Sequence, residues 1–505
     1  MTDNKKNTLT SSHGNIVSED NASITTSGNN PRTLLEDTHL IEKLAHFNRE
    51  RIPERVVHAK GAGAYGVFEV THDVSQYTGA DFLSSIGKKT DLFIRFSTVG
   101  GEKGSADAER DPRGFAIKFY TQEGNYDLVG NNTPIFFLRD AIKFPDFIHT
   151  QKRNPATNCK DANMVWDFFS LTPESIHQVS ILFSNRGIPI DYRHMDGFGS
   201  HTFMWYKKDG SYVWIKWHFK STLGCKNFNA NDATKMAGID PDHATRDLFY
   251  NIEKNNFPTW NAFVQIMTEE QAKKYQFNPF DVTKVWYKKD FPLIPVGKIT
   301  LNKNPDNYFA EVEQATFSPA NFVPGIASSP DKMLQGRLFA YGDAHRHRVG
   351  TNSHLIPVNM AKNAKVKTYQ RDGFMVVDNN GGADVNYYPN SFGGQQPDPS
   401  YKLPEVKVGE YASRYVQELS DVDFIQAGEL YSRVLNAEEK LELEQNISNS
   451  LKNALPRIQK RQVALFYKAN KDYGTNIANN LKLDVTEIEK LASLSQEDRV
   501  KATMQ

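Results

Sequence analysis

Apolar and polar residues alternate over short runs through the first half of the chain. In Asp91-Leu-Phe-Ile-Arg-Phe-Ser97 a two-residue period puts Phe93, Arg95 and Ser97 on one face and Leu92, Ile94 and Phe96 on the other. Asp111-Pro-Arg-Gly114 marks a turn into a second run, residues 115–120. Asp209-Gly210 has the chemistry of a tight hairpin between residues 202–206 and 212–220. In the latter run Trp214, Lys216, His218 and Lys220 share the outward face, and Val213, Ile215, Trp217 and Phe219 the inward one. Many short strands with tight turns predict a barrel or a sandwich.

A helical period takes over elsewhere. Thr172 is placed to cap a helix, Pro173 suits its first position and Gly187 stops it. From about 300 to 420 the period is weak and Pro, Gly and Asn are scattered, which predicts an extended wrapping region carrying one helix around Arg337. Beyond Asp421 the pattern is helical again, with Leu443, Ile447, Leu451 and Leu455 at steps of four until Pro456 breaks the run. Residues 1 to about 30 are rich in Ser, Thr, Asn and Gly and predict a flexible arm, or one that docks onto a partner.

Composition narrows the function classes. The 505 residues hold 60 Lys+Arg against 60 Asp+Glu, so no net field draws in nucleic acid or anionic lipid. No apolar run approaches the roughly 18 residues of a membrane helix. The first residues, MTDNKKNTLTSSHGN, lack the apolar stretch of a secretory signal, and Cys159 and Cys225 are too few for a disulfide framework. A cytoplasmic setting is the expectation.

Chemistry concentrates in Arg337-Leu-Phe-Ala-Tyr-Gly-Asp-Ala-His-Arg-His-Arg348. On a helix Arg337 and Tyr341 share a face, which places a guanidinium where it stabilises a phenolate, the form of tyrosine that ligates a metal. A surface helix with solvated charges satisfies the same pattern. His345 and His347, two apart and without Cys or carboxylate partners at zinc spacing, do not make a zinc site. Arg55-Val-Val-His-Ala-Lys-Gly-Ala-Gly-Ala-Tyr-Gly66 sets a His in an apolar run beside glycines, either a built site or a core histidine.

With Arg95-Phe-Ser-Thr-Val-Gly-Gly-Glu102 and Gly130-Asn-Asn-Thr-Pro-Ile-Phe-Phe137, these segments form four motifs that resemble haem catalase, in that family's order, from about residue 31 to 428. The resemblance implies an α+β fold: an eight-stranded antiparallel β-barrel with an extended wrapping segment and a C-terminal helical bundle. It divides the chain into an N-terminal arm (1–52), a haem-binding barrel domain with helical insertions (53–300), a wrapping segment carrying the proximal haem helix (301–420) and a C-terminal helical domain (421–505). The absence of a further α/β domain resembles the small-subunit form. The implied activity is decomposition of hydrogen peroxide to water and dioxygen through a ferryl haem intermediate, in a homotetramer.

The same resemblance implies the residue roles. His58 would shuttle the peroxide proton, Asn131 would steer the peroxide without titrating, and Ser97 would orient His58. Tyr341 would be the axial ligand of haem b iron, as tyrosine is in catalases generally, backed by Arg337. Arg55, Arg95 and Arg348 would bind the propionates. Val57, Phe136, Phe144 and Phe147 would line the haem face and a narrow channel, with His345 near the haem edge. NADPH is a possible second cofactor, on His177, Ser184, Arg186, His218, Lys220, Val285 and Trp286. His218 and Lys220 read as an outward basic pair suited to a 2′-phosphate. Three positions depart from the family there: Ile181 for an aromatic, Asp196 for an Asn and Lys288 for a His. Two rivals are the same fold turned to fatty hydroperoxides and a non-catalytic haem carrier.

Overall fold

The computed structural model describes residues 7–407, 409 and 411–504. Residues 1–6 of the predicted arm, and 408 and 410 of the predicted wrapping segment, lie outside the described residues. The chain divides into two units, one ending at Glu54 and one beginning at Arg55. In the first, two isolated bridges, Thr10 with Ile16 and Thr25 with Thr33, precede the helix Thr38–Phe47. Asp37 caps that helix by accepting from the Leu40 amide, and none of its residues is buried.

The second unit is built on ten strands: β1 Gly61–Val70, β2 Lys89–Ser97, β3 Gly114–Thr121, β4 Gly124–Asn131, β5 Gly197–Phe198, β6 Phe203–Tyr206, β7 Tyr212–Ser221, β8 Thr259–Met267, β9 Ile294–Lys303 and β10 Ile326–Ala327. Eight close into an antiparallel barrel in the order β7-β5-β4-β3-β2-β1-β9-β8, with β8 returning to β7; β6 and β10 extend from β7 as a flap. Closure leaves the ring without an unpaired edge. Inward residues fill the interior: Leu92, Ile94 and Phe96 meet Phe115, Ile117 and Phe119, and Ile215, Trp217 and Phe219 come from the far wall. Gly210 takes φ +84 in the turn between β6 and β7, as the hairpin requires.

The outer face of β2, β3 and β4 is covered rather than solvated. Lys118 and Asp127, register partners on β3 and β4, form a buried pair at 2.7 Å. Asp127 also accepts from the Ser318 amide and the Asn321 side chain, which pins the wrapping segment to this face. Tyr120 donates to the Val358 carbonyl and Asn363 to the Tyr120 carbonyl, fixing a later turn of that segment. The helix Lys332–Val349 lies within it, capped by Asp331 on the Met333 and Leu334 amides.

Two helix expectations need correction. Thr172 makes no side-chain cap; its carbonyl accepts from the amide and hydroxyl of Ser175, so Pro173 opens a 3-10 turn instead of an α-helix. The α-helix is Ile176–Phe183, and Gly187 closes a further 3-10 turn. The series of four-residue steps ends at Leu451, because Pro456 begins the helix Pro456–Ala469 and Leu455 stands outside it, exposed. A proline lacks the N–H that a first helical position leaves unpaired anyway, so it starts this helix. The helices Val422–Glu429, Ala437–Leu451 and Pro456–Ala469 share one apolar core with Ala162–Leu171 and Ile176–Phe183. No described helix is long and apolar enough to cross a membrane.

Candidate active site

His58 stands just before β1 with φ +66, a left-handed backbone that costs a non-glycine residue about 1–3 kcal/mol. The surroundings hold it there. Its amide donates to the Val99 carbonyl, and Arg95 donates to the His58 and Ala59 carbonyls at 2.7 and 3.1 Å. Asp111 in turn fixes Val99 and Gly100 by accepting both their amides.

The His58 ring is equally constrained. Nδ1 lies 2.9 Å from the Thr98 carbonyl and 2.9 Å from Ser97 Oγ. A carbonyl only accepts, so Nδ1 carries the proton and Nε2 presents its lone pair. Burial pushes the ring's pKa down to about 3, helped by the positive charges of Arg95 and Arg337. The site therefore holds a neutral imidazole with a free basic nitrogen, the state a general base needs.

One register row organises this side. Gly61 pairs Ser97, Ser97 pairs Gly114, Gly114 pairs Asn131, Asn131 pairs Phe198 and Phe198 pairs His218. Ser97, Gly114 and Asn131 thus stand abreast on neighbouring strands. A Cβ on Gly114 would lie 2.2 Å from Ser97 Oγ and 2.9 Å from His58 Nδ1, so only glycine admits the ring. Gly114→Ala is expected to displace both groups and lower turnover about 100-fold, the usual cost of an ångström of misplacement. Turnover rates beside an unchanged thermal midpoint would check it.

Across from this row, Arg337 Nη2 donates to Tyr341 Oη at 2.7 Å and to the Val129 carbonyl at 2.8 Å. Val129 is two residues before Asn131 on β4, so one strand positions both halves of the site. The Arg337 guanidinium also lies over the Tyr341 ring at 4.8 Å. Tyr341 packs against the apolar cluster that contains Phe93, Val129 and Phe317 on the covered outer face. His345 is buried one turn on and engages the Phe317 backbone, whereas His347 is exposed on the other side of the helix.

Arg55, Arg95 and Arg348 are buried together near one buried carboxylate, Glu313. Arg348 pairs with Glu313 at 3.4 Å, and Lys103 approaches the same carboxylate at 3.7 Å. Among the described residues Arg55 donates only to the carbonyls of Val312, Glu313 and Ala315. Burial, then the charges of Arg95 and Arg348, hold its guanidinium well below the usual range. Arg55 Nη1 and Arg95 Nε are buried without a hydrogen-bond partner among the described residues. Such an excess of buried donors and positive charge fits a bound group with two carboxylates.

Phe136 contacts Phe144 and Phe147 with ring centroids 6.2 and 6.0 Å apart. Val57, Phe136 and Phe144 are partly exposed at the margin of the same cluster, and Phe147 is buried behind them. The structure therefore brings the four predicted lining residues into one apolar wall beginning next to His58.

A separate groove of about 630 Å³ collects His177, Ile181, Ser184, Arg186, Val285 and Trp286. Asp196, His218, Lys220 and Lys288 line it too, joined by Glu429 and Glu439 from the C-terminal helices, which sequence spacing did not bring in. The outward basic pair is a correction. His218 is buried and bonds Gln265 at 2.9 Å, and burial pushes its pKa down to about 3. Lys220 is ion-paired with Asp196 at 2.6 Å. The face points away from the barrel interior, but neighbouring elements cover it.

His58, His177, His218 and His345 all have pKa values pushed from 6.5 to about 3, chiefly by burial. Between those limits the unfolded chain binds more protons than the folded one, so folded stability falls as pH drops. Turnover is expected to stay flat from pH 7 to 5 while the thermal midpoint declines. A rate falling with an apparent pKa near 6.5 would contradict the neutral base.

Residues 10–394 match the catalase family, and residues 418–481 match the family described as catalase-related immune-responsive. The catalase of Methanosarcina barkeri is 59% identical over 99% of this chain and 99% of its own. The catalase of Mus musculus is 54% identical over 93% of this chain and 89% of its own. The solved structure of catalase A from Saccharomyces cerevisiae matches with a TM-score of 0.91 at 46% identity, covering 94% of this chain and 99% of that one. Barrel and sequence alike define an oxidoreductase acting on hydrogen peroxide. The chain belongs to the catalase family, and its reaction is the decomposition of hydrogen peroxide.

Proposed function

We propose that this catalase works with haem b in the small-subunit manner, with Tyr341 as the residue that would hold its iron and His58 and Asn131 as those that would meet the peroxide. The observation that carries the reading is the neutral His58 ring, with Nδ1 tied to Thr98 and Nε2 free. Tyr341 Oη would ligate the iron, backed by Arg337, while Arg55 and Arg95 would take the carboxylates through their unfilled donors, with Arg348 beside them adding positive charge. When bound, the haem supplies the iron that takes and returns two electrons per cycle.

The protein's own part is proton traffic and positioning. His58 Nε2 accepts the proton from one peroxide oxygen and returns it to the other, so that the O–O bond breaks with water as the leaving group. Asn131 holds the peroxide by an amide that neither gains nor loses charge. Two peroxides yield two waters and one dioxygen. Val57, Phe136, Phe144 and Phe147 limit access by size and exclude bulkier hydroperoxides. An absorption spectrum of the purified protein, followed by oxygen release on adding peroxide, tests the reading; haem without oxygen release would favour a carrier.

The groove reads as the site of a reduced dinucleotide such as NADPH. A homotetramer is supported by apolar side chains left exposed at Phe374 (85%), Met375 (81%) and Phe392 (73%), which a second copy would cover. A cytoplasmic setting is supported by two free, exposed cysteines. Light scattering and cell fractionation test these in turn.

A further inference from the structure

The charges at the basic end of the groove do not match a simple phosphate socket. Asp196 Oδ2 lies 2.6 Å from Lys220 Nζ, and Asp196 Oδ1 accepts the Ser221 amide at 3.0 Å. The carboxylate is thus fixed by strand β7 and occupies the ammonium that would otherwise meet an anion. His218 contributes no charge, because it is buried and its ring stays neutral, and Gln265 fixes the tautomer: His218 Nε2 donates to Oε1, while the Gln265 amide nitrogen donates to the Trp286 and Phe291 carbonyls. His218 Nδ1 is then an acceptor, and it is buried without a partner among the described residues. Arg186 and Lys288 remain, and Lys288 feels Lys220, Asp196 and Arg186 together.

A carboxylate beside an adenosine ribose hydrogen-bonds the 2′-hydroxyl, whereas a cation free of partners favours a 2′-phosphate. Both acceptors here, Asp196 and His218 Nδ1, suit hydroxyl donors. We propose that Asp196 makes this groove accept NADH at least as tightly as NADPH, with Asp196 the residue that sets the choice. The inference rests on the groove being a dinucleotide site.

The test is titration of the haem-loaded protein with NADH and with NADPH, followed by nicotinamide fluorescence. Wild type is expected to bind NADH as tightly as NADPH or tighter. D196N keeps the acceptor for Ser221 but frees Lys220, and should tighten NADPH about tenfold while moving NADH little. K220M should weaken NADPH only slightly in wild type but about tenfold in the D196N background, since coupled groups give non-additive effects. A wild-type preference of tenfold or more for NADPH would overturn the inference, even were D196N unable to fold. So would a D196N protein whose NADH-to-NADPH ratio is unchanged. Binding of neither nucleotide by wild type and D196N alike would overturn the dinucleotide reading and this inference with it.

Discussion

Replacing His58 with alanine is expected to leave haem bound and to cut oxygen release by about 10²–10⁴-fold, the range that a positioned acid–base group contributes. The reason is geometric before it is electronic. Nδ1 is committed to the Thr98 carbonyl and Ser97, so Nε2 is the ring atom left to move a proton. Asn131 cannot substitute, because an amide has no basic nitrogen. Arg95, Arg337 and Arg55 are the charges that help keep the ring neutral, and none of them accepts a proton. The measurement is oxygen release per haem, with the Soret band used to equalise haem content. Wild-type-like release from His58→Ala would remove His58 from the mechanism.

The second large effect is expected at Tyr341. Phenylalanine keeps the ring's packing against the apolar cluster of the outer face but removes the oxygen that accepts from Arg337 at 2.7 Å. Among the described residues Arg337 then keeps only the Val129 carbonyl, and a guanidinium stripped of one charge-assisted bond costs about 1.5–3 kcal/mol. Tyr341→Phe is expected to lose most of its haem, or to hold it with a shifted Soret band, and to lose turnover in proportion. An unchanged spectrum and rate would rule out Tyr341 as the ligand.

Much of this arrangement was legible in the chain itself. The two-residue period of residues 91–97 placed Arg95 and Ser97 on a shared face, and both do serve the His58 segment. The four-residue step from Arg337 to Tyr341 became the observed helical contact. What spacing could not carry was anything set by a distant partner. The tautomer of His58 depends on the Thr98 carbonyl, a backbone atom with no side-chain signature. Gly114 looked like the end of a turn, while its role comes from register with Ser97 and Asn131. Lys220 looked like a free cation because Asp196, 24 residues away, meets it only in the folded chain. Ser175 reset the start of the following helix through a local bond that the Thr-Pro pattern did not reveal.

The row from Gly61 through Ser97, Gly114 and Asn131 to Phe198 and His218 has a consequence for how this enzyme tolerates change. Side chains on these strands alternate, so slipping β3 by one residue against β2 would turn Phe115, Ile117 and Phe119 out of the interior. The same slip would separate Gly114 from Ser97 and Asn131. Misaligned chains would therefore lose solubility and catalysis in a single step. Misassembled but soluble, partly active protein should be rare, and specific activity should track the folded fraction closely.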